Sequence, residues 1–253
     1  MKKKLLTLLL LFVSALLALP VLAESRKEVG PQEAHSYPFH LTQALIARSK
    51  AGQSVRGTGT YLGKGILLTA AHNLTDERGR LLAGQTVRSY NAQGTEVFHT
   101  GATANPYHLP AGYRGYEDLR KDLGLIEVTS SLGLPVGQQE LKLAVYTQAQ
   151  KLVGKRVSSM GFSSLTRPPY TQASGQVLAV ETDGTLTADL ELVEENSGSP
   201  VFLDGEIIGI VTAVTEECRG QSSCSRATIT LLTPELKKEL LPKLFIPQTT
   251  LCK

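Results

Sequence analysis

The chain has 253 residues, 42% of them hydrophobic, with 23 glycines, 12 prolines, no tryptophan, and 26 Lys and Arg against 23 Asp and Glu. Three of those cations, Lys2, Lys3 and Lys4, lie in an N-terminal leader, and subtracting them from 26 leaves 23 cations against 23 acids. The balance excludes an electrostatic case for nucleic acid or an anionic membrane as partner.

Residues 1–23 read as an export signal. The three lysines form a basic start, the run from Leu5 to Leu22 is almost wholly apolar, and Val21-Leu22-Ala23 suits signal peptidase cleavage before Glu24. No later segment is apolar enough to span a bilayer, so the expected product is secreted. Strand-like runs follow at 57–62, 65–69, 86–90, 123–128, 156–160, 176–180, 185–190, 207–214 and 227–232, with glycine or proline turns between them. One helix is predicted from Thr233-Pro234-Glu235 onward, with Leu236, Leu240, Leu241 and Leu244 on one face. Many strands ending in one helix indicate an all-β sandwich or barrel architecture. A stretch rich in Ser, Gly, Pro and Gln at 130–139 divides the mature chain into units at 24–135 and 136–253.

The three cysteines are Cys218, Cys224 and Cys252. In an exported protein Cys218 and Cys224 would close a short disulfide loop, contributing roughly 2 kcal/mol in the chain-entropy model. Cys252 is left over. Neither a zinc set nor an H-E-x-x-H helix is present, so no metal or cofactor is expected.

The chemistry converges on Glu195-Asn196-Ser197-Gly198-Ser199-Pro200. A serine before glycine in a proline-closed turn presents its hydroxyl outward, but that hydroxyl is a weak nucleophile without a base. His72, in Thr69-Ala70-Ala71-His72, closes a strand-like run where small alanines hold the backbone tightly. His35, His40, His99 and His108 have no comparable setting. Asp122 opens the apolar strand 123–128, where a carboxylate held at the rim of the core needs a donor such as an imidazole Nδ1–H. Asp118 is the second candidate for that role, and Ser199 for the nucleophile. The chain order is His72, Asp122, Ser197, distinct from the orders in subtilisins and α/β-hydrolases.

The strings Leu68-Thr69-Ala70-Ala71-His72, Asp122-Leu123-Gly124-Leu125-Ile126 and Asn196-Ser197-Gly198-Ser199-Pro200-Val201-Phe202 resemble trypsin-like serine proteases, closest to the bacterial glutamyl-endopeptidase branch. The resemblance extends more weakly from about Gly57 to Leu232. It implies two packed six-stranded Greek-key β-barrels of chymotrypsin type with a C-terminal helix. His72 and Asp122 would then come from the first barrel and Ser197 from the second, acting on protein or peptide substrates. It also implies an oxyanion hole built from the backbone N–H groups of Glu195 and Ser197.

Five positions bear on how far that pattern carries over. Glu195 stands where the family carries glycine, which tolerates backbone geometries a side chain resists; a flipped peptide there would leave the hole unformed until substrate or a partner restores it. Asn196 cannot pair with an N-terminal ammonium. Val211 replaces the histidine that selects glutamate, so that specificity is not carried over. Glu191, near the pocket base, either selects a basic side chain or shares an exposed strand face with Asp189; Val214 would instead narrow the pocket for small residues. The competing reading is a protease-like binding protein or adhesin with conditional activity. An HtrA-type protease is disfavoured, because only 53 residues follow Pro200.

Overall fold

A computed structural model describes residues 26–63, 65–100, 106–128, 141–163, 170–216 and 225–240. The expected signal sequence at 1–23, the expected boundary at 135/136 and all three cysteines lie outside these residues. The chain opens with β1 (Arg26–Glu28) and a single helical turn, α1 (Pro31–Ala34). Next come β2 (Thr42–Arg48), β3 (Ser54–Gly63), β4 (Ile66–Thr69), β5 (Thr86–Tyr90), β6 (Glu96–His99), β7 (Tyr107–His108) and β8 (Gly124–Glu127). These seven form an antiparallel sheet in the order β6-β5-β2-β3-β4-β8-β7. Among the described residues it is a half-barrel.

The second half supplies β9 (Arg156–Phe162), β10 (Tyr170–Val180), β11 (Leu186–Ala188), β12 (Pro200–Leu203), β13 (Glu206–Glu216) and β14 (Ser225–Leu231). Here β9 pairs with both β10 and β12, and the ring runs on through β13, β14 and β11 back to β10. Six strands therefore close a barrel, which agrees with the expected fold. To its outside β1 adds a seventh strand, pairing Arg26 with Ala173. The N-terminal segment thus crosses to the C-terminal barrel before the chain enters its own sheet.

The expected helix is α2 (Pro234–Leu240). It starts where Thr233 Oγ1 accepts the Leu236 N–H at 3.3 Å, a side-chain cap followed by proline in the first turn. Leu236 and Leu240 face the core; Leu241 and Leu244 lie outside the described residues.

Two apolar clusters hold the sheets. One is confined to the C-terminal barrel and includes Val157, Val177, Leu186, Val201 and Ile229. The other runs across both sheets, joining Leu45, Leu67 and Leu125 to Phe162, Phe202 and Ile210. A fully buried side chain of this size contributes about 1.5–3 kcal/mol, so this seam fixes the two sheets against each other. Backbone crosses it too: the Thr58 N–H donates to the Ser197 carbonyl at 2.8 Å.

Candidate active site

Strand register decides which residues meet at the end of the half-barrel. In the β4–β8 pair, Thr69 lies opposite Gly124. His72 follows Thr69 by three residues and Asp122 precedes Gly124 by two, so both land at the same edge. Ala70 and Ala71 are fully buried and lead into a 3-10 turn, Ala71–Leu74, that carries the histidine. The His72 Nδ1 lies 2.6 Å from Asp122 Oδ2, and the His72 backbone N–H donates to Asp122 Oδ1 at 2.8 Å. Asp122 has no exposed surface. A carboxylate in that position is tolerable only when paired and hydrogen-bonded, and His72 supplies two of its donors, one from the ring and one from the main chain. With its proton held on Nδ1 by the carboxylate, the ring keeps Nε2 as an acceptor. Asp118, the second candidate, is turned away. It accepts the Arg114 N–H at 3.3 Å and faces the Arg114 guanidinium.

Two tyrosines that sequence reasoning missed complete this half. Tyr113 donates its hydroxyl to Asp122 Oδ1 at 3.1 Å. Burial pushes its phenol above the ordinary range, and the Asp122 charge adds to the effect. Tyr116 sets its ring edge-on to His72, with centroids 5.6 Å apart. Both lie in an irregular loop with no periodicity to mark them. Beside Tyr116 opens a cleft of about 660 Å³, lined also by Gln53, Val55, Thr75, Glu77 and Arg78.

The serine turn docks onto this half through its backbone. Ser197 O accepts the Thr58 N–H and, at 3.0 Å, the side-chain amide of Asn73. Because Asn73 follows His72 directly, the histidine segment and the serine segment share one hydrogen-bond network. The same amide donates to Thr69 Oγ1 at 3.0 Å, and Asn73 is buried. Its adjacency to His72 was the only sequence signal available. Asn73→Ala should cost about 1–3 kcal/mol in denaturant-derived stability, because two buried bonds are lost.

The turn itself needs Gly198. Its φ is +89°, and a Cβ there would stand 2.1 Å from the Thr58 carbonyl oxygen. Gly198 N–H donates to Val211 O, and Val211 N–H returns a bond to Ser199 O. Ser199, the rival nucleophile, is fully buried. Its hydroxyl points at β9 so closely that a Cβ on Gly161 would stand 1.9 Å from it. Ser197 retains some exposure, 7%.

Residues Glu194–Asn196 form a 3-10 turn, in which the Asn196 N–H donates to Val193 O at 2.9 Å. Asn196 closes the turn a second time, its Oδ1 accepting the Val193 N–H at 2.9 Å. A 3-10 turn aims each carbonyl at the amide three residues on; for Glu194 that amide belongs to Ser197. Glu195 O accepts the Thr58 hydroxyl at 3.4 Å, and the Glu195 carboxylate lies 3.8 Å from Arg56. Of the candidate specificity residues, Val211 is fully buried in the C-terminal barrel core, while Val214 and Glu191 are half-buried. Among the described residues no cluster of three or more His, Cys, Asp or Glu could hold a metal.

The family model for the trypsin-like peptidase domain matches residues 57–210. Among solved structures, the chain is similar to a Glu endopeptidase in complex with MPD, at 16% identity over 85% of this chain and 94% of that one, with a TM-score of 0.59. It is also similar to the thermostable serine protease AL20 from an extremophilic microorganism, at 12% identity, covering 80% of this chain and 96% of that one, TM-score 0.61. A third is the protease Anisep from Arthrobacter nicotinovorans, at 13% identity, covering 78% and 92% of the two chains, TM-score 0.59. At these identities the likeness is one of fold. No curated protein sequence matches the chain.

Proposed function

The chain belongs to the trypsin-like peptidase domain family, whose fold implies protein or peptide substrates, and on that premise we propose that it is a secreted serine endopeptidase. Secretion is supported by the leader at 1–23. The observation that carries the catalytic reading is the Asp122–His72 pair at 2.6 Å, joined through Asn73 to the Ser197 carbonyl. In this reading His72 Nε2 takes the Ser197 proton as Oγ attacks the peptide carbonyl, giving a tetrahedral oxyanion. The intermediate collapses to an ester on Ser197 as His72 passes the proton to the leaving amine. Water, activated by the same imidazole, then releases the acid product. Asp122 orients the ring and offsets the charge of the imidazolium.

Incubation with a fluorophosphonate, read by intact mass and peptide mapping, tests this reading. A single adduct on Ser197 supports it. A folded protein that takes no adduct, even after long exposure, overturns it.

The 3-10 turn at Glu194–Asn196 favours a second, narrower reading, that activity is conditional. A hole that needs the Glu195 and Ser197 amides to converge forms only when this turn opens, with substrate or a partner supplying the free energy. Glu195→Gly should ease that change, since glycine accepts either peptide orientation and the carboxylate no longer faces Arg56. One oxyanion donor is worth about 2.7–4 kcal/mol, so the expected result is a rise in fluorophosphonate acylation rate of up to about a thousandfold. An unchanged rate would mean that the turn does not limit the reaction.

A further inference from the structure

We propose that Tyr113 is a positioning residue for His72, acting through Asp122; the inference rests on the serine-peptidase reading above. The two bonds from His72 to Asp122, one from the ring and one from the main chain, both tie the carboxylate to the segment after β4 and to no second segment. Tyr113 provides that second reference from a different segment, through its hydroxyl on Asp122 Oδ1. The loop that carries it is held close. Tyr113 N–H donates to Pro110 O at 3.1 Å, and a Cβ on Gly79 would stand 2.6 Å from Gly115 N and 3.0 Å from the Tyr113 carbonyl. The segment after His72 and the loop before Asp122 are therefore packed backbone to backbone.

The phenol suits the task because it keeps its proton. Burial and the adjacent carboxylate both hold its ionisation above the usual range, so it remains an O–H donor wherever histidine acts as a base. Around the pair stand His72, bonded to Asp122, and Tyr116, whose phenol is raised by burial and by the charges of Glu77, Asp122 and Asp76, while Arg114 and Asp118 on the same loop pair with each other. The C-terminal barrel contributes the Thr230 hydroxyl, which bonds the Leu119 carbonyl.

Without the Tyr113 hydroxyl, the carboxylate charge concentrates on the oxygens facing the ring and its orientation loosens. The charged imidazolium then persists to higher pH, and the base is less often aligned. The test is the pH profile of kcat/KM for Tyr113→Phe, which removes one oxygen and keeps the ring. The expected result is a fall on the order of tenfold, the scale of one charge-assisted hydrogen bond. The acid limb should move up by about half a pH unit, a shift of the size such contacts produce. Tyr107→Phe controls for the loss of a buried phenol: its hydroxyl meets Thr100 at 2.7 Å elsewhere in the same barrel. That variant should lose stability and keep the wild-type acid limb.

Site-specific 3-fluorotyrosine at position 113, a stronger donor of nearly the same volume, should move the limb the opposite way and decides the matter if Tyr113→Phe does not fold. An unmoved limb in both position-113 variants, or an equal shift in Tyr107→Phe, overturns the inference. Fluorophosphonate labelling of wild type, run alongside, separates the two claims. If wild type does not label, the peptidase reading has failed; if it labels while the position-113 variants behave as wild type, only the role of Tyr113 has failed.

Discussion

Replacing Ser197 by alanine is expected to lower kcat by about a million-fold, the loss seen when a serine nucleophile is removed from a comparable triad. The fold should not notice. Ser197 is held by its backbone, the carbonyl accepting from Thr58 and Asn73, and alanine keeps both bonds. Unfolding midpoints of wild type and Ser197→Ala should therefore coincide while peptide cleavage disappears. The small residual rate would come from binding and oxyanion contacts alone. Ser199→Ala gives the contrast, because that hydroxyl is buried against β9 and its loss should leave cleavage intact. Substantial cleavage surviving in Ser197→Ala would reject the assignment of the nucleophile.

Asp122→Asn should reduce kcat near neutral pH by about ten-thousand-fold. The change preserves shape and removes charge. An asparagine amide facing Nδ1 no longer requires a proton there, so the ring can turn its acceptor toward position 122 and its N–H toward Ser197. A base whose proton already points at the nucleophile cannot accept another. Single-turnover acylation rates isolate this chemical step. Stability should fall far less, by about 1–3 kcal/mol, because one buried acceptor is lost while its donors remain. A variant that acylates within tenfold of wild type would show that Asp122 is structural.

The three proposed catalytic positions stand out in the sequence because each sits in a local string whose residues serve one purpose: small alanines before His72, an apolar strand after Asp122, glycine and proline after Ser197. The strands were legible where one face alternates. β2 escaped because all but two of its residues are buried; with both faces covered, the period of two disappears, and Thr42-Gln43-Ala44-Leu45 carries no strand signal of its own. Escaping for a different reason, β1 is three residues whose only claim to a strand is a partner at Ala173. Tyr113 and Asn73 could not be chosen from sequence for the same reason. Their roles exist only after the β4–β8 register has brought the ends of two strands together. The 3-10 turn at Glu194–Asn196 carries no signal in the sequence, because its bonds depend on Val193 and Thr58.

The bond between the Asn73 amide and the Ser197 carbonyl spans 124 residues of sequence, and it gives the molecule an order of assembly. In chain order the half-barrel with His72 and Asp122 comes first, and on the serine-peptidase proposal it lacks a nucleophile. The serine follows late and finds its place only when the second barrel closes and the seam between the sheets forms. On that proposal, a chain interrupted before that moment would hold separated parts with no power to cut.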